Sequence, residues 1–152
     1  MLRFARTLVC TVALGLIAAG CSSTPAAHTA PQFAPVPANS NRAFSPFVRA
    51  NGFLYLAGQL GTDSTGKLAP GGIKEETRQT MMNIKSLLER NGSSMDRVVR
   101  CLVLLADIND RPAMSDVYVT FFAPDKRPVR TAAGVGGLAL NGRVEIECIA
   151  TE

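Results

Sequence analysis

The pattern of apolar and polar positions predicts a regular domain that begins at residue 43. Its first signal is a pair of short strand-like runs, Val48–Arg49 and Phe53–Ala57, on either side of Asn51-Gly52. An Asn-Gly pair between such runs is typical of a tight β-hairpin, because both residues accept the positive φ angles of the turn. The domain is therefore predicted to open with a hairpin.

A helical period follows a glycine-rich connection. The core-facing positions recur every three or four residues, as on one face of a helix, and they are Ile73, Thr77, Met81, Ile84, Leu87 and Leu88. Charged residues on the opposite face are typical of a solvated surface, and they are Lys74, Arg78, Lys85 and Glu89. Asn91-Gly92 is a helix stop signal. These positions predict one amphipathic helix.

A buried strand and a second helix are predicted next. Val98–Leu105 is mostly apolar, which favours a largely buried strand. Asp107–Asp110 supplies capping residues, and Pro112 falls in the first turn of the helix. The apolar stripe of this helix is assigned to the core, and its members are Met114, Val117, Tyr118, Phe121 and Phe122.

The last part of the pattern predicts the closing strands. Val129–Val135 and Arg143–Thr151 have strand character, and Gly136-Gly137 breaks the chain between them. The predicted order of elements in residues 43–152 is β-β-α-β-α-β-β.

The N-terminal segment has the layout of an export signal. Arginines precede the uncharged apolar run Thr7–Ala19, which is too short for an ordinary transmembrane helix. Ile17–Cys21 resembles the bacterial lipobox, in which small residues precede a cysteine that carries lipid. This resemblance implies a signal peptide over residues 1–20 and lipid attachment to Cys21. An ordinary signal peptide with a coincidental cysteine is the alternative.

Residues 21–42 are predicted to be a lipidated cysteine and a tether. Ser22–Asn41 is uncharged and rich in Pro, Ala, Ser and Thr, so it is expected to stay extended. His28, the one histidine of the chain, lies within it and is expected to be solvated. The expected location is the cell envelope, anchored on the periplasmic side. Ser22 after the cysteine favours the outer membrane over the inner one, by resemblance to bacterial sorting signals.

Composition and charge exclude several classes of function. The 152 residues are 47% apolar and 18% charged, which favours one folded domain over disorder. Removing Arg3 and Arg6 with the signal leaves 14 basic against 12 acidic side chains, with no basic stripe. Nucleic acid is therefore not an expected partner. A single histidine excludes multi-histidine metal sites.

The domain resembles the Rid family of reactive intermediate deaminases, also called YjgF-type proteins. The motifs that carry the resemblance are Ala57-Gly58-Gln59, Leu88–Ser94, Tyr118–Phe122, Arg127–Thr131 and Val144–Ala150. The resemblance implies an α+β, chorismate-mutase-like domain that forms a homotrimer with ligand clefts between subunits. It also implies hydrolysis of amino-acid-derived enamines and imines, such as 2-aminoacrylate, to 2-keto acids and ammonia, without metal or cofactor.

The resemblance assigns roles to two charged residues. Arg130 corresponds to the arginine that holds the substrate carboxylate, and a guanidinium fork matches a carboxylate in two hydrogen bonds. Glu145 corresponds to the carboxylate that activates water, a role open to a carboxylate in a cleft. Strand alternation places Glu145 on one face with Glu147 and Ile149, and Glu147 is expected to have a structural or exposed role.

The other positions of the implied ligand site carry few polar groups. They are Phe44 for a usual Tyr, Ala57 for Ser, Ser115 for Asn, Ala132 for Cys or Ser, and Gly137. Gly137 either brings backbone amides close to the small imine or keto-acid ligand or belongs to a simple loop. The missing hydroxyls keep an alternative open, namely a non-catalytic trimeric module that binds small carboxylates or proteins. Ribonuclease activity, also linked to the family, has little support in the charge pattern.

Two cysteines lie in the predicted domain, Cys101 and Cys148, each in an apolar strand. A separated pair is a poor zinc signal. Unpaired buried thiols are the first expectation, although the sequence does not give the separation that would decide pairing.

Overall fold

The computed structural model describes residues 30–36, 38 and 43–152. These residues form a mixed seven-stranded sheet with two α-helices packed on one of its faces. The predicted signal peptide, the lipidation at Cys21 and the solvated His28 lie outside the described residues.

The strands are β1 (Gln32–Phe33), β2 (Phe47–Ala50), β3 (Phe53–Leu56), β4 (Gln59–Leu60), β5 (Val98–Leu105), β6 (Val129–Gly134) and β7 (Val144–Thr151). The helices are α1 (Ile73–Arg90) and α2 (Arg111–Tyr118). The order across the sheet is β1-β2-β3-β7-β5-β6, and β4 also pairs with β7. Only the β5–β6 pair is parallel among the described strands. This arrangement confirms the predicted α+β fold.

The predicted hairpin and first helix are both confirmed. Ala50 pairs with Phe53, and the intervening Asn51 and Gly52 have φ angles of 51° and 78°, as a two-residue hairpin turn requires. Helix α1 buries Met81, Ile84 and Leu88, and its predicted charged face is exposed. The buried hydroxyl of Thr80 donates to the Glu76 carbonyl at 2.8 Å. This hydrogen bond satisfies a polar group on the buried face of the helix.

Strand β7 lies in the interior of the sheet, and its side chains alternate between a buried face and a more exposed face. Its residues Val144, Ile146, Cys148 and Ala150 are buried beneath the helices. The alternate residues Glu145, Glu147, Ile149 and Thr151 point to the other face. No helix of the described chain covers that second face, which we call the open face. It also carries Leu102 and Leu104 of β5, which pair with Glu147 and Glu145.

The structure corrects the expectation of unpaired thiols. Cys101 and Cys148 form a disulfide between β5 and β7, and both residues are almost fully buried. They are direct antiparallel partners, with Cα atoms 4.2 Å apart. Partners in a non-hydrogen-bonded antiparallel pair approach to about 4.5 Å, which brings two cysteine side chains into bonding range.

The structure also corrects the expected start of the folded domain. Within the predicted tether, Gln32 and Phe33 pair with Arg49 and Val48, so that β1 extends the sheet. The Ala34 amide donates to the Phe47 carbonyl at 3.1 Å, and the Ala34 side chain is buried. Backbone groups can pair in a sheet whatever the side chains are, so a strand such as β1 need not show apolar alternation. This is why the Pro- and Ala-rich composition of the segment predicts a tether and does not reveal the strand.

Candidate active site

Glu145 lies on the open face beside a backbone gap that accommodates its carboxylate. A β-carbon added to Gly58 would lie 2.1 Å from Glu145 Oε1, so only glycine leaves room for the carboxylate there. Leu104 is the direct partner of Glu145 on β5. A small cleft of about 60 Å³ includes these three residues and Leu102. Such a space is large enough for ordered water next to the carboxylate.

Glu145 and Glu147 differ in their partners although they share the open face. Glu147 Oε1 lies 3.8 Å from Arg100 Nη1, and the Glu147 side chain is 47% exposed. This agrees with the structural or exposed role expected for Glu147. For Glu145, no cation of the described chain lies within ion-pair distance. Its carboxylate is therefore available for other chemistry.

Arg130 lies on β6 and faces the helices. It is the parallel partner of Cys101, whose side chain is on the helix-covered face. Arg130 Nη2 donates to Ser115 Oγ at 3.1 Å, and Arg130 Nη1 lies 3.9 Å from Met114 Sδ. Its guanidinium carbon lies 4.8 Å from the centre of the Tyr118 ring. All three contacts come from α2.

The guanidinium of Arg130 has an unusual set of partners for a half-buried cation. The groups that contact it, Met114, Ser115 and Tyr118, are neutral, and within residues 30–36, 38 and 43–152 no carboxylate forms an ion pair with it. A partly desolvated arginine without an anion is electrostatically ready for a bound carboxylate. The predicted anchor therefore has the positive charge and the N–H donors that binding a carboxylate requires.

One chain does not bring Arg130 and Glu145 together. Their strands β6 and β7 are separated by β5, and their side chains point to opposite faces of the sheet. Strand β6 is the last strand of the sheet order, so Arg130 lies on an edge strand. A site that uses both groups must combine this edge of one molecule with the open face of another.

The remaining predicted site residues fall into separate places. Ser115 contacts Arg130, and Ala132 lies two residues further along β6, partly buried against the core. Ala57 is next to Gly58, and its amide donates to the Pro46 carbonyl at 3.0 Å. Phe44 is 58% exposed. Gly137 is exposed, and a β-carbon there would meet nothing within 4 Å; close packing does not explain this glycine.

Gly58 and Tyr118 lie directly beside the candidate residues Glu145 and Arg130, although the sequence pattern does not single them out for a site. The apolar stripe of α2 predicts Tyr118 in the core, and it is buried there, but its ring also lies under Arg130. The spacing of three between Ser115 and Tyr118 on a helix is a signal that could have linked them, because residues three apart share a face. Burial raises the pKa of Tyr118 to about 12, against an opposing effect of the Arg130 charge.

Residues 30–36, 38 and 43–152 have neither a metal-binding cluster nor a membrane-spanning helix. They contain no group of three or more His, Cys, Asp or Glu side chains placed to hold a metal ion. Among the same residues, no helix is long and apolar enough to cross a membrane.

Comparison with known proteins identifies relatives along most of the domain. The family model described as Endoribonuclease L-PSP matches residues 34–152. A goat protein named 2-iminobutanoate/2-iminopropanoate deaminase is 44% identical over 110 residues, which cover 72% of this chain and 80% of the goat protein. A RutC family protein from Pyrococcus horikoshii is 41% identical over 108 residues, covering 70% of this chain and 85% of that protein.

The fold has solved counterparts as well. The crystal structure of RidA from a Psychrobacter species superposes with a TM-score of 0.70 at 33% identity, and the match covers 79% of this chain and 94% of that chain.

Proposed function

Because this chain belongs to the endoribonuclease L-PSP family, which includes the Rid proteins, we propose that it hydrolyses small imines and enamines derived from amino acids. The products are 2-oxo acids and ammonia. The observation that carries the proposal is Arg130, a half-buried guanidinium held by neutral groups in the described chain. Relatives named 2-iminobutanoate/2-iminopropanoate deaminase at 40–44% identity support the same reaction.

The chemistry assigns separate tasks to the two charged residues. Arg130 binds the substrate carboxylate through paired N–H groups. Glu145 accepts a proton from water as the water oxygen bonds to the imine carbon, and the C=N π electrons move to nitrogen. Glu145 passes that proton to the nitrogen, which gives a tetrahedral carbinolamine. The same carboxylate then accepts the hydroxyl proton and transfers it to the nitrogen as the 2-oxo group forms, the carbon–nitrogen bond breaks and ammonia leaves. An enamine reacts as its imine tautomer, in which a proton has moved from the nitrogen to the β-carbon.

This division of tasks supports a site shared between copies of the chain. Arg130 and Glu145 point to opposite faces of one sheet, so we place Arg130 of one subunit next to Glu145 of the partner subunit. The open face supplies apolar surface for such an assembly, including Tyr55 at 42% exposure, and no helix of the described chain covers it. The assembly proposed is a homotrimer with the ligand in each of its clefts.

An assay of the variant Arg130→Ala tests the function. Imines generated from amino acids by an amino-acid oxidase should disappear faster with the unmodified protein than in buffer. Arg130→Ala should lower kcat/KM about 10- to 150-fold, equivalent to about 1.5–3 kcal/mol for hydrogen bonds to a charged group. Arg127→Ala removes the same charge from an exposed position nearby and serves as the matched control.

The outcome separates the two candidate functions. Equal hydrolysis by the unmodified protein and Arg130→Ala would show that the anchor is misassigned. If the protein bound 2-oxo acids but hydrolysed no imine, the enzyme proposal would be wrong and the non-catalytic binding module would be the better account.

We also propose that the domain works in the cell envelope, anchored through Cys21. The signal-like residues 1–20 and the lipobox-like Ile17–Cys21 support this. The buried disulfide is a further support, since stable disulfides are typical of oxidising compartments. Expression in a bacterium with labelled palmitate should give labelled, membrane-bound protein, whereas Cys21→Ser should give none. An unlabelled native chain would rule the anchor out.

A further inference from the structure

The contact between Tyr118 and Arg130 is more than core packing. Tyr118 is 3% exposed, and the Arg130 guanidinium carbon lies 4.8 Å from its ring centre. This distance is within the roughly 6 Å over which an aromatic face attracts a cation, and the attraction grows when the pair is desolvated. The ring is itself held from α2 and from a contact with Phe122, whose ring centre is 4.9 Å away.

The polar end of Tyr118 distinguishes it from an ordinary core residue. Its hydroxyl is buried and has no hydrogen-bond partner within the described residues. A buried hydroxyl without a partner costs stability, so the hydroxyl does not explain the position of this side chain. What the described structure does supply is a flat aromatic surface under a cation that lacks an anionic partner.

We propose that Tyr118 is a positioning residue for the carboxylate anchor, its ring fixing the plane of the Arg130 guanidinium while Ser115 holds one N–H of the fork. The other N–H groups then remain for the substrate carboxylate. This inference rests on the proposed function, in which Arg130 binds that carboxylate.

Fixing the guanidinium in advance lowers the entropic cost of binding an anion. Tyr118 is only 3% exposed and lies beneath Arg130, so its ring acts on the substrate through the guanidinium and does not touch the reacting atoms. Loss of the ring should therefore weaken binding of substrate and transition state alike, which raises KM and leaves kcat nearly unchanged. A defect in general packing would have no reason to follow this split.

The test compares side chains at position 118 in the full-length protein. Tyr118→Leu should raise KM for the imine, and Kd for 2-oxobutanoate, about tenfold, the equivalent of about 1.4 kcal/mol. Tyr118→Phe keeps the ring and should retain both constants. Pentafluorophenylalanine at position 118 keeps the shape but reverses the ring electrostatics, so it should weaken binding even if the leucine variant does not fold. Phe121→Leu, a half-buried aromatic nearby that also packs against the core, is the matched control.

The two readouts separate this inference from the proposed function. Should the unmodified protein bind 2-oxobutanoate without hydrolysing imines, the enzyme proposal fails, and a weaker Kd with the fluorinated ring still supports Tyr118 as the positioning residue. The role of Tyr118 is overturned if the fluorinated ring and phenylalanine bind 2-oxobutanoate equally well. It is also overturned if kcat falls while KM and Kd stay unchanged.

Discussion

Replacing Glu145 by glutamine should lower kcat for imine hydrolysis by about 100- to 10,000-fold, the usual contribution of a positioned general base. An amide has nearly the shape of the carboxylate but cannot take the proton from water. Because Arg130 holds the substrate separately, Kd for 2-oxobutanoate should stay within about threefold. Stopped-flow assays and titration of the same protein samples would measure both effects. Glu89→Gln, on the exposed face of α1, is the control that loses a carboxylate elsewhere.

Gly58→Ala tests the position of the same carboxylate without changing its chemistry. The new β-carbon would lie 2.1 Å from Glu145 Oε1, so the carboxylate must move. Misplacement of a reacting group by about 1 Å can cost about 100-fold in rate, and a loss of that order is expected here. If both Glu145→Gln and Gly58→Ala kept full kcat, another group would have to activate the water.

Breaking the Cys101–Cys148 disulfide should lower the free energy of unfolding by about 4 kcal/mol, the chain-entropy value for cysteines 47 residues apart. The bond also joins β5 to the central strand β7, so its loss loosens the middle of the sheet. Guanidinium unfolding at fixed protein concentration, with and without reductant, measures the change.

The variant Cys101→Ala/Cys148→Ala is the control for this experiment. It should unfold at low denaturant whether or not reductant is present. Coincident unfolding curves for the oxidised and reduced native protein would contradict a stabilising disulfide.

The sequence predicts the hairpin turn and helix α1 correctly, because both are determined by residues close together in the chain. Asn51-Gly52 identifies the hairpin because the turn needs positive φ at both positions. The spacing of Met81, Ile84 and Leu88 identifies α1 because one helix face is buried. Strand β1 could not be found this way, since it joins the sheet through its backbone.

The candidate site depends on relations between distant segments, which the sequence gives only in part. Alternation correctly places Glu145 on the face opposite Cys148. The pairing of Cys101 with Cys148, and the opposite orientation of Arg130, depend on the registers of β5 with β7 and β6. A shift of one residue would reverse both results, and periodicity within a single strand does not fix that register.

The most direct test of the shared site is to co-express equal amounts of Arg130→Ala and Glu145→Gln. In a mixed trimer, a cleft regains both native side chains when Arg130 comes from one variant and Glu145 from the other. Random assembly of the proposed cyclic trimer should give both native side chains to one cleft in four and restore about a quarter of the native kcat/KM. Each variant alone should stay below about a tenth of the native kcat/KM. A mixture no more active than the separate variants would contradict a site built from two copies of the chain.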